Sequence, residues 1–180
     1  YDMGRTPGSI DNPLNQMWAT AILEVEPYTN NIVWEWHMWD HLVQERGPAY
    51  GATFGNVEDH PELMNINEGN VGSGNGPGGS NADWIHVNAI DYNEALDQIV
   101  LSSRFMSEIY IIDHSTTTAE AATHEGGNSG KGGDFLYRWG NPQIYNRGNN
   151  ATQILDDQHS VNWISEGYPG EGNLILFNNR

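Results

Sequence analysis

Apolar and polar positions in this chain fall into short runs rather than recurring at helical spacing. Eight runs rich in β-branched and aromatic residues, each closed by turn formers or polar clusters, predict strands. They cover residues 20–26, 32–39, 84–92, 98–104, 108–113, 134–139, 159–164 and 173–177. Pro27 to Asn31 is a turn, which makes the first two strands a hairpin, and Gly167 to Gly170 links the last two. Four strands follow one another between Asp83 and Gly140, and four consecutive antiparallel strands make one blade of a propeller-type fold. Helical turns are expected at Asp40–Glu45 and around His60–Met64. Ser115 or a threonine after it caps a brief helix ending at Ala122.

Residues 1–16 read as a polar lead-in. Residues 47–82 form a long Gly/Asn-rich insertion, whose glycine-rich run from Asn70 to Ser80 lacks the Lys-Ser/Thr ending of a phosphate-binding loop. It reads as a surface loop. A loose internal repeat reinforces the strand pattern. Ile32-Val-Trp-Glu-Trp returns as Phe135-Leu-Tyr-Arg-Trp, and Gln98-Ile-Val-Leu-Ser as Asn173-Leu-Ile-Leu-Phe. The expected fold is all-β, part of a single β-propeller domain over residues 1–180. It holds the outer half of one blade, a full blade at 83–140, and the inner half of another. Propellers close with roughly 4 to 8 blades, so about two blades read as a fragment of a larger propeller.

Composition narrows the function. The chain carries 24 acidic against 7 basic residues, a net charge of −17. That excludes a nucleic-acid partner, which needs clustered Lys and Arg. Seven Trp and eight Tyr argue for a packed chain. The absence of cysteine excludes disulfides and thiolate metal sites. No apolar run approaches the ~18 residues of a membrane span, so no membrane insertion is expected. The chain does not begin with Met and reads as a mature product or a piece of a longer one.

The chemistry gathers at few residues. His86 and Asn88, two apart in a strand, share one face with Trp84 and Ile90. A turn near Glu94 brings Ser103 and Arg104 opposite His86. An imidazole, an amide and a guanidinium then converge, a trio suited to an oxyanion. His159 opens the next inner strand and faces the same channel, as base, acid or nucleophile. His37 and His41 are four apart, but His37 ends a strand, so helical metal-ligand spacing fails. No metal ligand set is expected. Glu58-Asp59 and Asp156-Asp157 are candidates for Ca2+ as a structural ion, with a solvated acidic surface as the plainer reading.

These residues carry a family resemblance. The runs Val33-Trp-Glu-Trp-His-Met-Trp-Asp-His-Leu-Val-Gln44, Asp83-Trp-Ile-His-Val-Asn-Ala-Ile-Asp-Tyr-Asn93, Leu96-Asp-Gln-Ile-Val-Leu-Ser-Ser-Arg104 and Gly130-Lys-Gly-Gly-Asp-Phe-Leu-Tyr-Arg-Trp-Gly-Asn-Pro142 are similar to the arylsulfotransferases, six-bladed propellers of bacteria. The resemblance implies transfer of a sulfuryl group from an aryl sulfate to a phenol without the nucleotide sulfate donor, and no required cofactor. It implies a sulfated histidine at His159, with Ser160 following where Asp is usual, and His86, Asn88 and Arg104 holding the sulfuryl oxygens. His37 or His41 would supply a further channel histidine. A pocket lined by Trp34, Trp36, Trp84 and Trp163 would suit phenols, while aromatic residues also form propeller cores. A secreted or periplasmic location goes with it. The competing expectation is a non-catalytic extracellular propeller that acts as a binding module in a homo-oligomer or larger assembly.

Overall fold

A computed structural model describes residues 2–72 and 82–179, so residues 73–81 of the expected glycine-rich loop lie outside the described residues. The strands, in chain order, are β1 (Ile10–Asp11), β2 (Ala21–Glu26), β3 (Asn31–His37), β4 (Leu42–Gln44), β5 (Thr53–Phe54), β6 (Met64–Asn65), β7 (Val71–Gly72), β8 (Val87–Asn93), β9 (Gln98–Ser103), β10 (Glu108–Asp113), β11 (Tyr137–Trp139), β12 (His159–Trp163) and β13 (Leu174–Phe177). Among the described residues one short α-helix, α1 (Thr118–Ala121), and three 3-10 turns interrupt them. The chain is all-β. The central sheet has the order β11-β10-β9-β8 and is antiparallel throughout. β2–β3 and β12–β13 are separate hairpins. The internal repeat has a structural counterpart: β9 and β13 are each the second strand of their hairpin.

Both faces of the central sheet are covered, which is why β9 and β10 are almost wholly buried and read as near-continuous apolar runs. Leu101, Tyr110 and Ile112 face a core built with Trp34, Trp36, Met38, Leu42, Met64 and Phe135. Val100 and Ile109 face the other way, against Leu155 and Val161. β12 packs along β8 rather than joining its sheet. Inside the sheet, Arg138 and Glu108 form a buried pair; Arg138 also donates to the Leu63 carbonyl at 3.0 Å and lies 4.2 Å from the Tyr145 ring. Burial pushes the Glu108 carboxyl up from its ordinary value, and Arg138 opposes that shift.

Several boundaries differ from the sequence reading. Residues 38–40 make the helical turn, and Leu42–Gln44 is a strand, paired in parallel with β5 and β6 and buried at every position. The turn expected around His60 lies at Val57–Asp59, and Met64 belongs to β6. The expected brief helix is α1, with Thr117 and Glu120 forming a reciprocal capping box. The largest difference concerns the first strand of the central sheet. It begins at Val87, and Trp84 and Ile85 lie in a buried bend before it.

Candidate functional site

The two ends of the central sheet are distinct. Val87, Ser103 and Glu108 align at one end; Asn93, Gln98 and Asp113 align at the other. His86 stands just before the first of these ends with φ at +47°, and the ladder bulges between Val87 and Ala89. His86 and Asn88 therefore do not owe their relation to strand alternation, as the spacing predicted. The tight turn after β9 supplies the rest. The Arg104 N–H donates to the His86 carbonyl at 3.0 Å, so Arg104 does lie opposite His86. The Phe105 ring packs between them, 4.7 Å from the His86 imidazole and 5.7 Å from the Arg104 guanidinium.

The segment before β12 closes the cluster. Asp157 accepts from Arg104 Nη2 at 2.9 Å, and the Asn88 amide donates to the Gln158 carbonyl at 2.8 Å. The hydrogen bond from Arg104, then the positive charge of Arg104 and the neighbouring His159 and His86, hold the Asp157 carboxyl below its ordinary value. Four sequence-predicted residues, His86, Asn88, Arg104 and His159, thus gather around Asp157. His86, Asp157 and Ser160 all have left-handed backbone, uncommon away from glycine.

The hydrogen bonds assign the tautomers. His159 Nδ1 lies 2.8 Å from the Asp157 carbonyl, which can only accept, so Nδ1 carries the proton and Nε2 the lone pair. Asn179 donates to the same carbonyl at 2.6 Å. His86 Nδ1 bonds the Asp83 carboxylate, whose other oxygen accepts from the His86 backbone N–H at 3.1 Å. That leaves His86 Nε2 as its working nitrogen. Unmet hydrogen-bonding capacity also collects here. Among the described residues, the buried side-chain polar atoms without a partner are Asn88 Oδ1, Arg104 Nε and Gln158 Oε1, and all three belong to this cluster.

Three predicted substrate contacts fall elsewhere. Trp84 is fully buried, donates its indole N–H to the Glu68 carbonyl at 2.8 Å and stacks on Trp39, so it is a core residue. His41 is also fully buried, with both ring nitrogens engaged by Asp134 and the Ala121 carbonyl. The Leu136 N–H donates to the Ile111 carbonyl, so the segment before β11 runs back to the Asp113 end of the sheet. His41, bonded to Asp134, therefore lies toward the Asp113 end of the sheet, away from His86. His37 pairs with Glu35 on the β2–β3 hairpin. Conversely, sequence reasoning did not single out Asp83, Gln158 or Asn179. A signal existed for Asp83, an Asx-turn former three residues before His86. Nothing local marks Gln158, whose amide reaches Ser103 and Glu108, 55 and 50 residues away.

The arylsulfotransferase (ASST) family model matches residues 13–180. The chain belongs to the arylsulfotransferase family. Searches of curated proteins and of solved structures returned no match. Membership brings small aryl molecules as the substrate class. Among the described residues no helix is long and apolar enough to cross a membrane. For an arylsulfotransferase, the arrangement offers a lone-pair imidazole nitrogen on His159, a second imidazole oriented by a carboxylate, and a buried unshared N–H on Arg104.

Proposed function

We propose that the chain transfers a sulfuryl group from an aryl sulfate to a phenol, without a nucleotide donor, through a sulfated His159. The gathering of unmatched polar atoms beside two tautomer-fixed histidines supports this reading most strongly. In the first half-reaction His159 Nε2 attacks sulfur. The N–S bond forms, the S–O bond to the aryl group breaks, and the leaving phenolate takes a proton from protonated His86. The Asp83 carboxylate stabilises that imidazolium before transfer. In the second half-reaction neutral His86 accepts the proton of the incoming phenol, whose oxygen attacks sulfur and releases His159. Arg104 Nε–H and the second Asn88 amide hydrogen stabilise charge on the sulfuryl oxygens. The remaining Asn88 hydrogen is spent on Gln158, so Asn88 also ties the His159 segment to β8.

The same reading takes the central sheet as one propeller blade of about six, with β12 as the inner strand of the next, and a secreted or periplasmic setting. The blade arrangement is supported by β12 lying along β8. A second reading rests on a different observation. An apolar groove of about 800 Å3 lies between the sheet and the last hairpin, lined by residues such as Ile109, Tyr137, Trp139, Leu174 and Leu176. It fits either the outer strands of a further blade or an assembly contact. The test is sulfuryl transfer from an aryl sulfate to a phenol, comparing wild type with His159→Ala. We expect ping-pong kinetics and a sulfated peptide containing His159 in wild type, both lost in the variant. Transfer that survives in His159→Ala removes the covalent route; a folded wild type with no transfer favours the assembly reading.

A further inference from the structure

We propose a divalent transition-metal site of the Zn2+ class at His41, His124 and Asp134, at the opposite end of the central sheet from the histidine cluster. His41 Nδ1 and His124 Nδ1 lie 2.7 and 2.8 Å from the same Asp134 oxygen, and the three ligand atoms are all within 4.8 Å of one another. The far side of His41 is bonded too. Its Nε2 is 2.8 Å from the Ala121 carbonyl, an acceptor only, so Nε2 carries a proton. For a neutral ring, Nδ1 then presents a lone pair to a carboxylate oxygen, a repulsive contact in a fully buried position. A cation shared by Nδ1 and the carboxylate removes the repulsion. A ligating histidine that donates its other N–H to a backbone carbonyl is the usual outer-shell support for such an ion.

The ligand chemistry favours the same class. Two imidazoles and one carboxylate suit Zn2+ better than Ca2+ or Mg2+, which take oxygen ligands. Tetrahedral metal bonds of about 2.0–2.1 Å set ligand atoms roughly 3.3–3.4 Å apart, so each imidazole nitrogen must draw back from the Asp134 oxygen by about 0.6 Å. The exposed His124 side chain has room for that. A cavity of about 430 Å3 opens over His124 and Asp134 and includes His60 and Glu62, so a fourth position is reached by water or by one of these. The ion would clasp the loop carrying α1 to the segment before β4. The sequence expectation of no metal ligand set fails on this reading, because the ligands are 83 and 10 residues apart.

The test is calorimetric titration of chelator-stripped protein with ZnCl2, with Ca2+ as comparison and Co2+ absorption as a geometric readout. His124→Ala removes a half-exposed ligand without opening the core, and circular dichroism checks its fold. His114→Ala, at the separate Glu24–Asp97 cluster, serves as control. We expect one Zn2+ per chain, tetrahedral Co2+ bands, a melting temperature that rises with zinc, and affinity about tenfold or more weaker in His124→Ala only. No stoichiometric zinc binding by wild type, or binding unchanged in His124→Ala or lost in His114→Ala, overturns the site. The first outcome would leave His41 as a buried imidazolium paired with Asp134.

Discussion

Gln158→Leu tests how the segment carrying His159 is held. Gln158 is fully buried, and its amide donates to the Ser103 carbonyl at 2.8 Å and the Glu108 carbonyl at 2.9 Å, with a longer contact to Ser102 Oγ at 3.2 Å. Two amide hydrogens serve the two carbonyls well; the third contact is weaker. Leucine keeps the volume and deletes both donors. Each buried acceptor left unpaired costs about 1–3 kcal/mol, and removing the unpaired Oε1 returns part of that. The net loss is about 2–4 kcal/mol, or roughly 5–12 °C in melting temperature for a chain of this size. Gln158→Glu is the sharper control: its carboxylate faces two carbonyl acceptors and should cost more than leucine. Thermal unfolding of both variants measures this. Transfer kinetics add a readout that stability alone would not move: kcat falls, while KM changes little, because His159 loses its position and the substrate contacts remain. A melting shift under about 1 °C for leucine, or a glutamate variant as stable as wild type, would falsify the tethering argument.

Asp83→Asn keeps an acceptor for His86 but loses the charge that stabilises its imidazolium; kcat is expected to drop about tenfold to a hundredfold, read from steady-state transfer rates. Arg104→Ala removes the buried unshared N–H, and a fall of about 10^2–10^3 in kcat is expected if it meets developing sulfuryl charge. The Arg104–Asp157 pair gives a pH test. Because the folded-state value of Asp157 is lowered, its stabilisation is full above the ordinary carboxyl value of about 4 and is lost as pH falls through the lowered value. The difference in melting temperature between wild type and Asp157→Asn should therefore be constant at neutral pH and vanish in acid. Arg138→Met leaves the Glu108 carboxylate buried without a counter-charge, held only by the Tyr110 hydroxyl, and should cost about 3–5 kcal/mol in urea unfolding, with Glu108→Gln/Arg138→Met recovering much of it.

The cluster at His86 shows how residues can meet for a reason other than the one that their spacing suggests. The sequence argument joined His86 to Asn88 by strand alternation. In the fold His86 stands outside the strand in left-handed backbone, and Arg104 reaches it through a turn hydrogen bond. Both routes bring the same side chains together. The Asp157 carboxylate, noted at first only as part of an acidic pair, is the group around which they are arranged.

What the sequence determined by itself was local: the strand runs, the hairpin turns, the capped helix at Thr117 and the four-strand succession after Asp83. These follow from side-chain branching, turn chemistry and alternation, each written within a few residues. Tertiary structure decided which histidines work together. His41 and His86 look alike in the chain, each two residues after a tryptophan. Yet the first is bonded to Asp134, 93 residues on, and the second faces a segment more than 70 residues on. Those partners are set by how sheet faces pack and where loops return, and hydrogen bonding over such separations leaves no local mark in the sequence.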